Sequence, residues 1–133
     1  MTLALSIRQP WASLILFAGK DIENRNWSTA TRGPILIHAA KSMTKREYIE
    51  AMAFAEFATC TLDPCRLDSL HPDNLPRGGI IGSVILADCA RRGGAVSPWF
   101  QGPYGFVLRD PKPLDFLPFK GQLGFFDVPG VEP

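Results

Sequence analysis

The sequence predicts an α+β fold, a small and mostly antiparallel β-barrel of about six strands flanked by two main helices. Short apolar stretches recur along the chain with turn residues between them, and two segments show helical spacing. The 12 Gly and 12 Pro among 133 residues are typical of a chain that turns often. With 46% hydrophobic residues, we expect a single domain over residues 1–133 with one core.

The first third of the chain predicts strand, short helix and strand. Apolar and polar residues alternate over 3–7, which indicates the first strand. Pro10 suits the first turn of a helix that continues to Ala18, and Gly19 suits the position that ends it. Residues 21–27 then read as a strand. One face of that strand would carry Asp21, Glu23, Arg25 and Trp27.

The rest of the chain predicts one more helix and four more strands. Thr44 and Glu47 fit a capping box, so a helix should begin there and continue to about Ala58. Residues 59–78 are turn-rich and predict a long loop. Apolar runs predict strands over residues 35–40, 80–87, 104–108 and 123–128. Gly82, inside one of these runs, indicates a bulge or a close backbone approach.

The charge is distributed unevenly although the net charge is only +1. Residues 1–46 hold seven Lys/Arg and two Asp/Glu (+5), residues 47–76 hold one and six (−5), and residues 77–133 hold six and five (+1). The first third is therefore able to present a basic face to a polyanion. The alternative is that the acidic segment folds over this face and neutralises it.

Several classes of protein fit the sequence poorly. No apolar run approaches the roughly 20 residues that a membrane span needs, and the N-terminus lacks signal-peptide character, so we expect a cytoplasmic protein. Three cysteines do not form a disulfide framework, and Cys89 in its apolar run should be core. The spacing of Cys60, Cys65 and His71 matches no zinc pattern. We expect neither a metal nor a cofactor.

Four segments follow one another along the chain: LSIRQPW at 5–11, the Gly, Lys, Glu and Arg run at 19–25, RGPILIHA at 32–39 and GGIIGSV at 78–84. Together they resemble the ASCH domain family (activating signal cointegrator homology), a PUA-like group of small β-barrels. The segments WFQGPYGFVL and PFKGQLGFFDV extend the resemblance to Val128. It implies RNA or modified-base binding in a cleft beside the barrel, with the 19–25 run lining that cleft.

The resemblance also implies an enzymatic activity as the alternative to binding. Some small bacterial relatives are amidohydrolases that act on N4-acetylcytidine with a Lys, a Thr three residues later and a distant Glu. Lys20 matches that Lys, Glu23 stands at the Thr position, and Asp88 is the candidate for the distant acid. Ribonuclease activity is ascribed to other members. Because Glu23 replaces the Thr, we expect binding rather than hydrolysis, and Lys20 and Glu23 are the catalytic residues if the protein is an enzyme.

The residue types themselves suit a nucleotide pocket. Lys20 or Arg25 suits phosphate, and Trp11, Trp27 or Trp99 suits stacking on a base. Glu23 suits an exocyclic amine, and Asn24 or Gln9 suits a base edge. The partner we expect is therefore nucleic acid, RNA in preference to DNA, or a modified nucleoside. The predicted binding residues are Arg8, Gln9, Lys20, Glu23, Asn24, Arg25, Trp27, His38, Lys41, Ser42 and Trp99.

Structural explanations of the same residues stay open. Glu23 and Arg25 fit a simple ion pair across a strand face, Trp11 fits the core, and His38 fits a hydrogen-bonded, semi-buried histidine. A further alternative is a protein-interaction module that uses the acidic segment 47–74. Loss of RNA binding on substitution of Lys20 or Arg25 would separate the nucleic-acid-binding hypothesis from these structural explanations and from the protein-interaction module.

Overall fold

The computed structural model describes residues 2–59, 68–94 and 97–133 and arranges them around a six-stranded sheet. The strands are β1 (Thr2–Ile7), β2 (Ile22–Arg25), β3 (Gly33–Ala39), β4 (Gly79–Arg91), β5 (Tyr104–Pro118) and β6 (Phe125–Val128). Their order across the sheet is β2-β5-β4-β3-β1-β6. Neighbouring strands are antiparallel except β1 and β3, which run parallel.

Two helices accompany the sheet, α1 (Trp11–Phe17) and α2 (Lys45–Thr59). Gly19 follows α1 with a φ of +74°, a conformation that glycine adopts without strain, so the predicted helix stop is confirmed. The predicted loop 59–78 contains two short 3₁₀ turns, Asp68–Leu70 and Pro72–Asn74, and part of it, with Cys60 and Cys65, lies outside the described residues. No helix in the described ranges is long and apolar enough to cross a membrane.

The capping box at the start of α2 is formed as the sequence predicts. The Glu47 backbone N–H donates to Thr44 Oγ1 at 3.1 Å, and the Thr44 N–H donates to Glu47 Oε1 at 3.1 Å. These reciprocal bonds satisfy two amide groups that the first turn of a helix leaves without partners.

Strands β4 and β5 extend well beyond the predicted ends at residues 87 and 108. Three register shifts interrupt their pairing, and Asp110 adopts a positive φ of 52° beside one of them. Bulges of this kind let prolines occupy a strand, and Pro113 is opposite Gly82. Gly82 also supplies the predicted close approach, since a Cβ there would lie 2.7 Å from a Leu16 methyl carbon. Pro111 and Pro113 therefore lie inside β5 and do not end it.

Contacts made by side chains, and not hydrogen bonds between backbones, connect the two ends of the sheet. Within the described residues β2 and β6 do not pair, so the sheet is not closed as a hydrogen-bonded barrel. Arg25 of β2 donates from Nη2 to the Ser6 carbonyl of β1 at 2.9 Å. The Trp27 ring meets Phe125 of β6 edge-on, with ring centroids 5.7 Å apart. The α+β class, the six mostly antiparallel strands and the two helices are confirmed, with closure made by side chains.

The core fills the curve of the sheet and the space between the helices. Apolar residues of β1, β3, β4, β5 and α1 form the first cluster, around the fully buried Phe106. A second cluster joins α1 to α2 through Leu14, Ala55 and Trp99. Because α1 lies between the sheet and α2, it is buried on more than the one face that its spacing predicts. Cys89 is half-buried against the first cluster.

Candidate functional site

The Lys20, Glu23 and Arg25 side chains form one compact ionic network. Lys20 is 3% exposed, and its Nζ donates to the Ile22 carbonyl and to Glu23 Oε1, the latter at 3.0 Å. Arg25 Nε donates to Glu23 Oε2 at 3.1 Å, while its Nη2 reaches the Ser6 carbonyl. One carboxylate therefore lies between two cations. The predicted Glu23–Arg25 ion pair is present, and Lys20 lies inside the structure.

A small pocket of about 180 Å³ opens beside this network. Its lining consists of Trp11, Lys20, Glu23, Asn24 and Gln101. The Lys20 ammonium lies 5.4 Å from the centroid of the Trp11 ring, within the range of a cation–π contact. A neighbouring hollow of about 340 Å³ shares Trp11 and Gln101 and extends towards α2. The pocket thus combines an aromatic ring, a carboxylate and an amide.

Asn24 holds the loop that supplies one wall of this pocket. Its Nδ2 donates to the Trp99 carbonyl at 3.0 Å, and its Oδ1 accepts from the Gln101 and Gly102 amides at 2.8 and 3.0 Å. Both acceptor positions of Oδ1 and one Nδ2 N–H are therefore used within the protein, which leaves one N–H for a base edge. The Asn24 side chain fixes the exposed Gln101 at the pocket, a residue that the sequence prediction did not include.

The three tryptophans occupy different environments. Trp99 is 3% exposed and packs in the cluster between the helices, so its ring is enclosed by the core. Trp27 is half-buried, with its ring edge-on to Phe106 at 5.2 Å between centroids. Trp11 is half-buried and lines the pocket. Among these rings, Trp11 is the one placed beside Lys20 and Glu23.

Arg8 and Gln9 make structural contacts near the start of α1. Arg8 donates to both carboxylate oxygens of Glu47, at 2.5 and 2.7 Å. This bond, with that from Thr44, lowers the pKa of Glu47 to about 2, and the same pair raises the pKa of Arg8. Gln9 is fully buried and donates to Ser13 Oγ and the Pro76 carbonyl, both at 2.8 Å. The basic first third is thus partly neutralised by the acidic helix.

His38 and Lys41 lie away from the pocket and line a separate groove. His38 is 1% exposed, with Nδ1 2.9 Å from Ser6 Oγ and Nε2 2.7 Å from the Phe119 carbonyl. A carbonyl only accepts, so Nε2 donates, and in the neutral ring Nδ1 accepts from the Ser6 hydroxyl. Ser42 is exposed in the same β3–α2 connection as Lys41. The predicted hydrogen-bonded histidine is present, in a more buried position than expected.

Asp88, the candidate distant acid, does not join the Lys20 network. Its carboxylate lies 3.5 Å from the Arg32 guanidinium and accepts from the Cys89 amide at 2.8 Å. It is exposed on β4. The structure therefore brings together Lys20, Glu23, Asn24 and Arg25 of the predicted residues, and it places this acid elsewhere.

The fold and this site define a small α+β domain whose side-chain-closed sheet carries a polar pocket beside a tryptophan. The sequence pattern of the ASCH domain matches residues 5–103, so the chain belongs to the ASCH domain family, as the resemblance predicted.

Two curated relatives carry a similar sequence. Activating signal cointegrator 1 of Homo sapiens is 30% identical over 126 residues, and that of Mus musculus is 35% identical over 126 residues. Each match covers 89% of this chain and 21% of the relative. The chain thus corresponds to one part of those much longer proteins.

Proposed function

We propose that this chain is a nucleic-acid-binding module that holds one base, of RNA in preference to DNA, in the pocket beside Trp11. The observation that carries the proposal is the position of the Lys20–Glu23 pair beside the Trp11 ring in the lining of the pocket. Bases in single strands are held by stacking on aromatic rings and by hydrogen bonds at their edges. Membership in the ASCH family supports the same function.

The hydrogen-bond donors and acceptors that remain unused in the pocket lining suit the edge of a base. The Glu23 carboxylate has about four acceptor positions, and the network uses one on Oε1 and one on Oε2. The remaining positions suit the exocyclic amine of adenine, cytosine or guanine. The exposed Gln101 amide offers both a donor and an acceptor.

The contacts of Lys20 favour ligand binding over nucleophilic attack. An ammonium has three N–H donors, and here two of them are directed at the Ile22 carbonyl and Glu23. One donor is left for a ligand. The alternative, a hydrolase of N4-acetylcytidine or RNA that uses Lys20 and Glu23, needs the nitrogen or the carboxylate to act on the substrate instead.

Binding of short single-stranded homopolymeric RNAs, followed by fluorescence anisotropy at low salt, tests the proposal. Trp11→Leu keeps an apolar side chain and removes the wide ring, so we expect affinity to fall about tenfold, in line with stacking of about 1–3 kcal/mol per base. The matched control is Phe57→Ala, an aromatic residue of α2 that is 77% exposed and outside the pocket.

Each outcome has a definite meaning. Weaker binding by the Trp11 variant with an unchanged Phe57 variant supports the assignment. No binding of any of the RNAs by the unsubstituted protein overturns it. Product formation from N4-acetylcytidine, abolished by Lys20→Met in a variant that still unfolds cooperatively, would favour the hydrolase instead.

A further inference from the structure

A groove of about 1000 Å³, distinct in its lining from the Trp11 pocket, lies between three separate segments of the chain. Its walls come from residues 40–41 after β3, residues 77–78 before β4, and residues 118–123 at the end of β5 and in the connection to β6. Ser6 and His38 also line it. We call it the β3–β5 groove. Nothing in the pocket proposal uses this surface.

The charged side chains that line the β3–β5 groove are all cationic. Lys41, Arg77 and Lys120 are exposed, and each comes from a different wall. No Asp or Glu is among the lining residues, and within the described ranges none of these three cations takes part in an ion pair. A concave surface lined by cations focuses the field and attracts anions. Arginine in particular recognises phosphate with two parallel hydrogen bonds.

Hydrogen bonds tie the walls of the groove to one another. His38 Nε2 donates to the Phe119 carbonyl at 2.7 Å, the Phe119 amide donates to the Gly78 carbonyl at 3.2 Å, and the Gly78 amide donates to the Ala39 carbonyl at 2.8 Å. Gly121 lies so close to the histidine that a Cβ there would be 2.8 Å from His38 Cε1. The groove is therefore preformed, which lowers the ordering cost of binding.

The groove also has an apolar margin next to its cations. Leu123 is fully exposed at 100%, and Pro118 lines the same wall. Cations beside apolar side chains match a nucleotide, in which a phosphate adjoins a sugar and an aromatic base.

We propose that the β3–β5 groove binds nucleotide phosphate through Lys41, Arg77 and Lys120. The inference rests on the proposed nucleic-acid function for its ligand class, and it assigns a second surface to that function. The shared chemistry is a phosphate next to a nucleoside, present either in a strand or in a free mononucleotide.

The salt dependence of RNA binding tests this proposal. Each phosphate contact to a single strand contributes about 0.7 to the slope of log K against log salt. We expect Lys41→Ala, Arg77→Ala and Lys120→Ala each to reduce that slope by about 0.7, and the triple variant to reduce it by about 2. The matched controls are Arg109→Ala and Lys112→Ala, exposed cations of β5 outside the groove lining, which should leave the slope unchanged.

Further titrations distinguish a nucleic-acid strand from a free mononucleotide as the source of phosphate. They also distinguish failure of the groove proposal from failure of the proposal for the Trp11 pocket. Adenosine and its 5′-monophosphate are titrated against the same variants. A phosphate-dependent gain in affinity that the triple variant loses supports free nucleotide as the ligand, and a reduced RNA slope without such a gain supports a strand. If RNA binds with the same slope in the triple variant, the groove proposal is wrong while the pocket proposal stands. If neither RNA nor the monophosphate binds the unsubstituted protein, both are wrong.

Discussion

Replacing Glu23 by Gln should destabilise the fold, because the Glu23 carboxylate is the counter-charge of a buried lysine. The Lys20 side chain is 2% exposed, the Glu23 side chain 10% and the Arg25 side chain 22%. Glutamine preserves the size of the side chain and removes its charge, so the packing stays while Lys20 loses its ionic partner. The effect should therefore be electrostatic.

The magnitude follows from the burial of the two partners. Removing one member of a buried ion pair costs about 3–5 kcal/mol, whereas a solvent-screened pair contributes about 0–1 kcal/mol. The Lys20–Glu23 pair is a buried pair, and the Arg25–Glu23 pair lies between a buried and a solvent-screened one. Because Lys20 keeps its bond to the Ile22 carbonyl, we expect the lower end, about 3 kcal/mol.

Urea unfolding measures this change as a lower midpoint at an unchanged m-value. The control is Glu50→Gln, since Glu50 pairs with Arg46 at 2.9 Å on the exposed face of α2 and should cost less than about 0.5 kcal/mol. Adding Lys20→Met to Glu23→Gln removes the unpaired charge and should restore part of the loss. If Glu23→Gln costs no more than Glu50→Gln, the reasoning about the buried network is refuted.

Three further changes test contacts elsewhere. Asn24→Ala removes three hydrogen bonds to the neighbouring loop and should cost about 2 kcal/mol in urea unfolding, with faster proteolysis of that loop; a stable, protease-resistant variant would contradict the clamp. Gly82→Ala forces a Cβ to 2.7 Å from a Leu16 methyl carbon and should cost about 1–3 kcal/mol by the same measurement, which a neutral result would disprove. The Arg8 hydrogen bond lowers the pKa of Glu47 from 4.5 to about 2, so its stabilisation is complete above about pH 4.5 and lost as the pH falls through about 2. Carboxyl NMR should show Glu47 titrating near 2, and nearer 4.5 in Arg8→Gln; identical midpoints would count against the pair.

The sequence predicts those parts of the fold that local chemistry decides. The capping box of Thr44 and Glu47, the positive φ of Gly19 and the alternation of β1 each depend on residues close together in the chain. The sequence underestimates the lengths of β4 and β5, because their bulges depend on pairing between distant segments. Proline signals the end of a strand only when no bulge accommodates it.

The site was predictable to a smaller extent, for the same physical reason. Lys20 and Glu23 are three residues apart, so their meeting follows from local geometry. Lys41, Arg77 and Lys120 meet only because β3, β4 and β5 are neighbours in the sheet, and no pattern in the sequence shows this. The burial of Trp99 depends likewise on α2 covering it from another part of the chain.

The side-chain closure between β2 and β6 also limits how another protein chain can attach. Both outer strands have four residues, and Arg25 and Trp27 reach across from the β2 side to Ser6 and Phe125. Short outer strands offer few unpaired backbone groups to an incoming strand, and natural sheets avoid edge-to-edge aggregation in this way. Partners that recognise proteins by adding a strand to a sheet need a longer open edge. This domain should therefore recognise partners through its side chains and not by adding a partner's strand to its sheet.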